Sequence, residues 1–315
     1  MGVVGLVVAL ATSALPAVAA GPAGAAADDT VASARALDQT VRCLTERRRV
    51  DVVRGFRTDR FTSDIPDRSA VDALGALWLQ TDNWPVSFGG GSGGCWLGGR
   101  IIGTYPQSTP WSTFHHTTGL SFTNGDFTIA GPRVHNIGDG IGVRVGADHF
   151  TITGAHLSFI HDDCVQNDGL ATGVVEDSLL DGCYVAFSAR PSAGDSVDGH
   201  QNTETFRGNV VRLQAMPTVY KGHAPGHGGF FKWDEHGRGP RLVLRDNVFR
   251  VDSKPNHQTL GLPAGYKFRC SNNVVVWLGK GRYPDKLPKC FSITRDRAVW
   301  DRAVAGWQAA HPFNL

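Results

Sequence analysis

Two stretches of this sequence decide its fold: Phe127-Thr-Ile-Ala-Gly131 is followed by a near copy of itself, Phe150-Thr-Ile-Thr-Gly154. The offset from Phe127 to Phe150 is also the offset from Asp139 to Asp162, and a partial third copy begins at Val175-Glu-Asp177. A fixed period in the twenties indicates one supersecondary unit that is stacked on itself. Stacking would align Asp139 with Asp162 and predicts a row of acidic side chains along one side of the molecule.

Each unit contains a β-branched triplet, a bend at Gly or Asp, a second short apolar strand and a polar turn. Three short strands per unit predict an all-β fold in which the chain winds as a single-stranded parallel β-helix. We place this solenoid at residues 95–290. In the later units Asn209, Asn247 and Asn273 recur at one bend, and we expect their amides to form hydrogen bonds between stacked units.

The two ends of the solenoid are predicted to be capped, because an open coil exposes apolar side chains and an unpaired strand edge. Residues 28–94 are assigned to an N-terminal cap, which consists of a helix over Thr30–Val53 and an irregular segment. Residues 291–315 are assigned to a C-terminal cap helix, in which Trp300 and Trp307 lie on one apolar face. We expect this face to plug the end of the coil.

Composition and charge favour a soluble, exported protein. The chain has 315 residues, of which 41% are hydrophobic and 19% charged, and its formal net charge is +2. It has no basic stripe with interleaved aromatic residues, which argues against nucleic acid as a partner. Val3–Leu15 is almost wholly apolar and Ala17-Val-Ala19 offers a cleavage site, so residues 1–27 are assigned to a signal peptide and linker. The apolar run is shorter than the ~20 residues of a membrane span. We expect a secreted monomer.

The six cysteines suit a protein that folds in an oxidising compartment. Order and spacing favour two disulfides near the ends of the coil, Cys43–Cys95 and Cys270–Cys290. Cys164 and Cys183 lie at matching points of neighbouring units, so they are either bonded to each other or stacked side by side. No cysteine or histidine spacing matches a zinc site, and a structural use of the cysteines is therefore predicted.

The polar stretch His161-Asp162-Asp163, with Asp168 nearby, is the candidate catalytic site. Stacked strands lie ~4.8 Å apart, so Asp139 of the preceding unit should come close to Asp162 and Asp163. Carboxylates this close raise one pKa, which leaves a protonated acid beside an ionised base. Hydrolysis of a glycosidic bond needs such a pair: an acid for the leaving oxygen and a base for water. The alternative for Asp139, which precedes a glycine, is that it caps a turn.

The repeat resembles that of the right-handed parallel β-helices of the pectin-lyase-like superfamily, over roughly Cys95 to Cys290. A motif goes further: Asp162-Asp163-Cys164-Val165 is similar to the Asp-Asp-Cys motif of the polygalacturonase family of glycoside hydrolases. Gly226-His227-Gly228 is similar to the Gly-His-Gly of that family, and Phe230-Phe231-Lys232-Trp233 is similar to its Arg-x-Lys. Ile137-Gly138-Asp139 stands where the family has Asn-Thr-Asp.

The resemblance implies a secreted, polysaccharide-active enzyme that hydrolyses glycosidic bonds in a surface groove and needs no cofactor or metal. The candidate catalytic residues are Asp162, Asp163, Asp139, Lys232 and Arg190. Substrate binding is assigned to four further side chains, those of His161, Asp168, His227 and Trp233.

Two other functions fit the same sequence. A polysaccharide lyase would use Lys232 or Arg190 as its base or as the clamp on a uronate carboxylate, and the aspartates would then hold Ca²⁺. A secreted adhesin or carbohydrate-binding coil would use the groove without chemistry. Trp111 to His116 belong to an insertion, which either stacks on sugar rings or closes a small satellite core.

Overall fold

The computed structural model describes residues 43–45, 47–80, 83–219 and 225–312. Most of the regular structure in these ranges is β-strand, as the repeat predicted, and neighbouring strands run parallel. The strands form a nine-stranded sheet and a fifteen-stranded sheet. None of the helices in the described part of the chain has the length and apolar composition that crossing a membrane requires.

The elements are numbered along the chain. The first twelve strands are β1 (Val50–Val52), β2 (Gly55–Arg57), β3 (Phe61–Ile65), β4 (Ala70–Asp72), β5 (Ala76–Leu79), β6 (Val86–Gly90), β7 (Cys95–Leu97), β8 (Arg100–Ile102), β9 (Thr118–Phe122), β10 (Thr128–Ala130), β11 (Arg133–Ile137) and β12 (Asp139–Val143). The next twelve are β13 (Phe150–Thr153), β14 (His156–Asn167), β15 (Gly173–Glu176), β16 (Leu179–Ala189), β17 (Thr203–Arg207), β18 (Val210–Leu213), β19 (Phe231–Trp233), β20 (Arg241–Arg245), β21 (Val248–Val251), β22 (Phe268–Ser271), β23 (Asn273–Trp277) and β24 (Phe291–Thr294). The helices are α1 (Trp111–Phe114) and α2 (Arg297–Ala310).

Successive units pair in the register that the repeat predicted. The nine-stranded sheet has the order β1-β4-β7-β10-β13-β15-β17-β20-β22, so each strand lies beside its counterpart in the next unit. Ile129 of β10 lies opposite Ile152 of β13, which lies opposite Val175 of β15. In the fifteen-stranded sheet Val134 of β11 lies opposite Leu157 of β14. The repeat in the sequence is therefore an offset between paired strands.

The fifteen-stranded sheet contains two rows of strands. The first row has the order β2-β5-β8-β11-β14-β16-β18-β21-β23-β24, and the second row contains β3, β6, β9, β12 and β19. The long strands β14 and β16 belong to both rows. The first half of β14 pairs with β11 and its second half pairs with β12, while β16 pairs with both β18 and β19. The two rows therefore meet in the middle of β14, where Asp162 and Asp163 lie.

Apolar side chains from both sheets fill the interior, and aromatic rings stack there from unit to unit. Phe88 stacks on Trp96 with the ring centroids 5.2 Å apart. The predicted asparagine row is confirmed at one bend: Asn209 Nδ2 donates to Asn247 Oδ1 at 3.1 Å, and Asn247 Nδ2 donates to Asn273 Oδ1 at 2.9 Å. These amides are buried, so each needs the partner that the next unit supplies.

The parallel strands begin earlier than the sequence predicted. Val50 of β1 lies opposite Ala70 of β4, and β4 pairs with β7, so the strands β1 to β6 belong to the sheets and this part of the chain is not an irregular segment. The helix predicted over Thr30–Val53 is wrong at its C-terminal end, because Val50–Val52 is a strand. The β-branched residues there suit a pleated strand better than a helix. Cys43 and Leu44 are helical, residues 47–49 are not, and residues 30–42 and 46 lie outside the described residues.

Helix α2 does not plug the end of the stack, which corrects the second cap prediction. It lies along the outer side of the fifteen-stranded sheet, where Trp300 and Trp307 pack against Leu179, Val210 and Val276. These side chains form an apolar stripe that runs from strand to strand. Covering the stripe with the apolar face of α2 removes it from water, which stabilises the helix in this place.

All six cysteines form disulfides. Cys43–Cys95 and Cys270–Cys290 are bonded as predicted. The alternative left open for the central pair is settled, because Cys164 is bonded to Cys183 with their Cα atoms 5.5 Å apart. This third disulfide joins β14 to β16 directly beside Asp163.

Candidate functional site

An extra residue in β14 brings two aspartates to a position where the neighbouring strand has room for one. Ile160 lies opposite Cys183 and Asp163 lies opposite Val185, so β14 spends three residue steps where β16 spends two. Such a bulge bends the strand and redirects its side chains. As a result Asp162 and Asp163 both approach Asp139, and carboxylate oxygens of the three residues lie within 4.8 Å of one another.

Asp139 occupies a strand position and does not cap a turn. Its Oδ1 accepts a hydrogen bond from the backbone N–H of Asp163 at 3.1 Å, and its Oδ2 accepts one from Thr118 Oγ1 at 3.3 Å. The glycines on either side leave room for close backbone contacts: a Cβ on Gly138 would lie 1.9 Å from the Phe114 carbonyl oxygen, and one on Gly140 2.5 Å from that of Cys164. Neighbouring backbone therefore excludes a side chain at both glycines, and within Gly138-Asp139-Gly140 only Asp139 carries one.

Lys232 completes the group, which we call the acid–lysine cluster: Asp139, Asp162, Asp163 and Lys232. Lys232 lies in β19, opposite Ser188 of β16. Its Nζ lies 2.6 Å from Asp163 Oδ2 and 3.4 Å from Asp162 Oδ1. Three carboxyl groups thus share a single ammonium group.

Burial and charge set the protonation of this cluster. Burial raises the pKa of Asp163 to about 7, against the opposing charge of Lys232. Burial, followed by the charges of Asp162 and Asp163, holds the pKa of Asp139 well above its ordinary value. Burial disfavours the charge on Lys232, but Asp162 and Asp163 outweigh it and raise the pKa of the lysine. Lys232 is therefore held as a cation, and the protonated form of Asp139 is favoured.

The cluster does not fit Ca²⁺. Its carboxylates are close enough together to share an ion. However, the Lys232 ammonium already lies between two of them, and a divalent cation there would face its charge.

The cluster opens onto a groove of about 1540 Å³, whose lining includes Asp162 and Lys232 but neither Asp139 nor Asp163. About 10% of the Asp162 side chain and 20% of the Lys232 side chain is exposed, whereas that of Asp163 is fully buried. A ligand in the groove thus meets one carboxylate and one ammonium group. The two other acids lie behind them.

Helix α1 lies in the insertion and forms one wall of the groove. It has features of both alternatives, an aromatic surface for sugar rings and a small satellite core. Trp111 and His115 line the groove with their rings stacked at 4.2 Å. Phe114, the last residue of the helix, is fully buried and stacks on His161 with ring centroids 3.7 Å apart. The insertion therefore presents aromatic surface to the groove and closes a small core beneath it.

Two of the predicted substrate-binding residues are buried away from the groove. His161 is 0% exposed, and its Nε2 lies 3.0 Å from Asn136 Oδ1. Burial lowers the pKa of His161 to about 4, so it is a neutral packing residue under α1. Asp168 is buried as well, in an ion pair with Arg144 and a hydrogen bond from Ser192 Oγ at 3.1 Å. Neither residue belongs to the groove lining, which argues against their assignment to substrate binding.

The remaining predicted residues divide between core and groove. His227 is buried, with Nδ1 2.7 Å from the Gly228 carbonyl and Nε2 3.1 Å from that of Ser253, and it does not belong to the groove lining, which argues against its assignment to substrate binding. Trp233 is largely a core residue, although it reaches the groove lining. Arg190 lines the groove, and its guanidinium lies 3.7 Å from Glu235 Oε1.

Sequence reasoning missed the polar chain that supports Asp139. Arg144 lies over Gly142, where a Cβ would come within 2.6 Å of the guanidinium. It donates to Thr118 Oγ1 at 2.7 Å, and Thr118 in turn donates to Asp139. Sequence reasoning also missed Tyr184 and His257, which line the groove. Tyr184 follows Cys183 directly, so the strand register would have placed it beside Asp162.

Comparison of the chain with protein-family profiles, curated proteins and solved structures found no match. The geometry of the acid–lysine cluster and of the groove is therefore the basis for assigning a function.

Proposed function

We propose that this protein is an exported enzyme that hydrolyses a glycosidic bond of a polysaccharide lying in the groove. One observation carries the proposal: a carboxylate, Asp162, and an ammonium group, Lys232, lie side by side at the surface of the groove, with two buried acids behind them. Carboxyl groups with perturbed pKa values next to a groove, as Asp139 and Asp163 are, are typical of sites that transfer protons. Trp111 adds the aromatic surface that sugar rings pack against.

In this proposal Asp162 acts on the substrate and the buried acids support it. Asp162 removes a proton from the water that attacks the anomeric carbon. Lys232 fixes the position of that carboxylate, and Asp163 contacts Lys232 from behind and, together with Asp162, keeps it a cation. The sequence suggested that Asp162 and Asp163 act together as base and acid. The proposal keeps only Asp162 in contact with the substrate, because the side chain of Asp163 is fully buried.

We further propose that the two sheets belong to a right-handed parallel β-helix. Two features support this: the chain returns to each sheet in unit after unit, and strands pair with their counterparts in the neighbouring units. Parallel connections of this kind are right-handed in nearly all proteins. An experimental structure in which successive units did not wind about one axis would contradict it.

Export is part of the same proposal. Three disulfides support it, because such bonds persist in oxidising compartments and are rare in the cytosol. Expression with residues 1–27 present, followed by N-terminal sequencing of protein in the medium, tests it. Retention of an uncleaved chain inside the cells would contradict it.

The enzymatic proposal is tested with a panel of neutral and acidic polysaccharides. Hydrolysis is expected to produce new reducing ends, and mass spectrometry should show one water added per bond broken. If the protein binds a glycan of the panel and releases no product, the proposal is wrong and a carbohydrate-binding protein is the better account.

Elimination is the second candidate, and the cationic side chains of the groove favour it. Lys232, Arg190, Arg241 and Lys267 line the groove, whereas two of its acids, Asp234 and Glu235, are engaged with arginines. A uronate carboxylate would find partners there. Lys232 would act as the clamp and not as the base, because its pKa is raised. Products with an unsaturated uronate, seen by ultraviolet absorbance and without added water, would identify this reaction.

A further inference from the structure

Hydrolysis in the groove requires a second proton-transferring group besides Asp162, and the buried acids do not supply one. Among the other groove residues, Lys232 is held as a cation by two carboxylates. Asp234 is paired with Arg238 at 2.9 Å. Tyr266 donates its hydroxyl to the Asp234 carbonyl at 2.5 Å. Each of these groups already has a structural partner. A further groove residue with a transferable proton is Tyr184.

Strand pairing places Tyr184 beside Asp162. Asp163 of β14 lies opposite Val185 of β16, so the residue before each of them lies at the same level of the stack. The ring of Tyr184 packs among Val185, Met216 and Val219, which fixes its direction. The residue is only 2% exposed, but unlike Asp163 it belongs to the groove lining, as Asp162 does. Tyr184 is thus a rigid side chain next to the carboxylate that we assign to the reaction.

The hydroxyl of Tyr184 has a histidine partner that is held from both sides. It lies 3.4 Å from His257 Nδ1, and His257 lines the groove as well. On one side of His257, the backbone N–H of Asn256 donates to the His227 carbonyl at 2.9 Å. On the other, Gln258 Oε1 accepts from the Gly229 N–H at 2.7 Å. Both anchors tie the histidine to the segment that precedes β19, the strand of Lys232.

Burial keeps the phenol protonated. Burial raises the pKa of Tyr184 to about 12, the charge of Asp162 adds to this, and Lys232 opposes it. At neutral pH the group is therefore a proton donor. An alkoxide leaving a sugar is basic enough to accept that proton as the bond breaks, and His257 is placed to return one to the tyrosine.

We propose that Tyr184, positioned by His257, is the general acid of the groove, an inference that rests on the proposed hydrolysis. As water attacks the anomeric carbon, Asp162 takes a proton from the water. The bond between the anomeric carbon and the leaving oxygen breaks with its electron pair on that oxygen, which takes the phenolic proton of Tyr184. The tyrosinate then regains a proton from solvent through His257, and Asp162 releases its proton to solvent, so one water is consumed per bond.

Leaving-group dependence tests this role. The substrates are the polysaccharide that the panel identifies and a nitrophenyl glycoside of the same sugar, whose leaving group departs without protonation. Tyr184→Phe should lower kcat on the polysaccharide by about 10²-fold or more, the usual contribution of a general acid, and should lower it less than ~10-fold on the nitrophenyl glycoside. Asp162→Asn should impair both substrates, and His257→Gln should reproduce the Tyr184→Phe pattern in weaker form. Tyr283→Phe is the matched control, because that hydroxyl donates to the Leu260 carbonyl at 2.7 Å and is not part of the groove lining.

Three outcomes would overturn the inference. Wild-type activity of Tyr184→Phe on the polysaccharide would remove Tyr184 from the reaction while leaving the proposed hydrolysis intact. Equal losses on both substrates would indicate a structural role, and His257→Gln gives the same comparison if Tyr184→Phe does not fold. If wild-type protein cleaves no polysaccharide, the proposed function fails and this inference fails with it.

Discussion

The ammonium group of Lys232 lies 2.6 Å from the carboxylate of Asp163, a side chain with no exposed surface. The contact crosses an intervening strand, since Lys232 belongs to β19, which pairs with β16, and Asp163 belongs to β14 on the other side of β16. A buried carboxylate is costly without a charged partner. The relationship explains how two acids lie inside the sheet, and it ties the groove to the stability of the fold.

Removing the lysine should therefore destabilise the protein. Lys232→Met leaves the buried acids without a cation, and because breaking a buried ion pair costs about 3–5 kcal/mol, we expect a loss near ~3 kcal/mol in the free energy of unfolding at pH 7. Denaturant unfolding measures it. Arg297→Met is the control: it removes a pair with Asp301 whose side chains are both more than half exposed, so it should cost less than ~1 kcal/mol. Equal effects of the two substitutions would contradict the account.

Lys232→Met should become less harmful when an acid is also removed. In the double variant with Asp163→Asn, the buried carboxylate that lacked a partner is gone. We expect the double variant to be more stable at pH 7 than Lys232→Met alone. A double-mutant cycle measures the coupling, and additive losses would show that the two side chains do not interact.

A second buried acid should make stability fall as the pH rises. Glu204 is 1% exposed and accepts a hydrogen bond from Asn167 Nδ2 at 3.2 Å. Burial raises its pKa from 4.5 to about 8. Between these two values the unfolded chain releases the proton that the folded protein retains, so the free energy of unfolding falls. The loss of stability is complete once the pH exceeds about 8, the pKa of Glu204 in the folded protein.

Glu204→Gln should remove this pH dependence. Each pKa unit corresponds to about 1.4 kcal/mol, so the variant should be more stable than the wild type by a few kcal/mol above pH 8. The two proteins should differ little at pH 4. Denaturant unfolding at both pH values measures the difference, which isolates Glu204 from other titrating groups. Parallel stability curves for the two proteins would contradict the prediction.

Two residues of helix α1 should contribute separately, one to substrate binding and the other to stability. Trp111 lines the groove, whereas Phe114 is fully buried against His161. Trp111→Ala should raise KM about 5- to 10-fold, the loss of an aromatic contact worth ~1 kcal/mol, and leave the unfolding midpoint nearly unchanged. Phe114→Ala should instead cost about 3–5 kcal/mol of stability. Steady-state kinetics and thermal unfolding of both variants decide, and the reverse pattern would mean that α1 faces the other way.

The glycine before Asp139 should tolerate no side chain. Gly138→Ala places a Cβ 1.9 Å from the Phe114 carbonyl oxygen, so the backbone of β12 or of the insertion must move. We expect a stability loss of at least ~2 kcal/mol, typical of overpacking against backbone. Gly306→Ala, inside helix α2 with nothing within 4 Å of the new Cβ, should stabilise the protein by up to ~1 kcal/mol. A neutral Gly138→Ala would show that the contact is looser than described.

The sequence predicted the stacked strands where the turns between them have constant length. Ile129 and Ile152 repeat at the offset at which they pair, so the period could be read directly. Before Cys95 it could not, because the step from Val50 to its partner Ala70 is shorter than the step from Ala70 to its partner Cys95. Turns of unequal length remove the fixed period from the sequence, although the strands still pair from unit to unit. The position of α2 depended on an apolar stripe that forms only after the strands stack.

The candidate site was predictable where it follows the repeat, as with Asp139 and Asp162, or where it carries a motif, as with Lys232. The bulge in β14 limited the rest. It breaks the alternation of side chains, so His161 turns into the core under Phe114 although it stands in a polar stretch. Arg144 reaches Asp139 through Thr118, a contact that strand register alone does not reveal.

Asp162 is the side chain on which the proposed reaction most depends, and its removal is the most direct test. Asp162→Asn is compared with Asp181→Asn, since Asp181 lies opposite Ser158 in β14 and is paired with Arg212. On the polysaccharide that the wild type hydrolyses, kcat is measured for both variants. We predict a loss of about 10²-fold or more for Asp162→Asn, the contribution of a general base, and near wild-type turnover for Asp181→Asn. Full activity of Asp162→Asn would contradict the assignment of this groove as the active site.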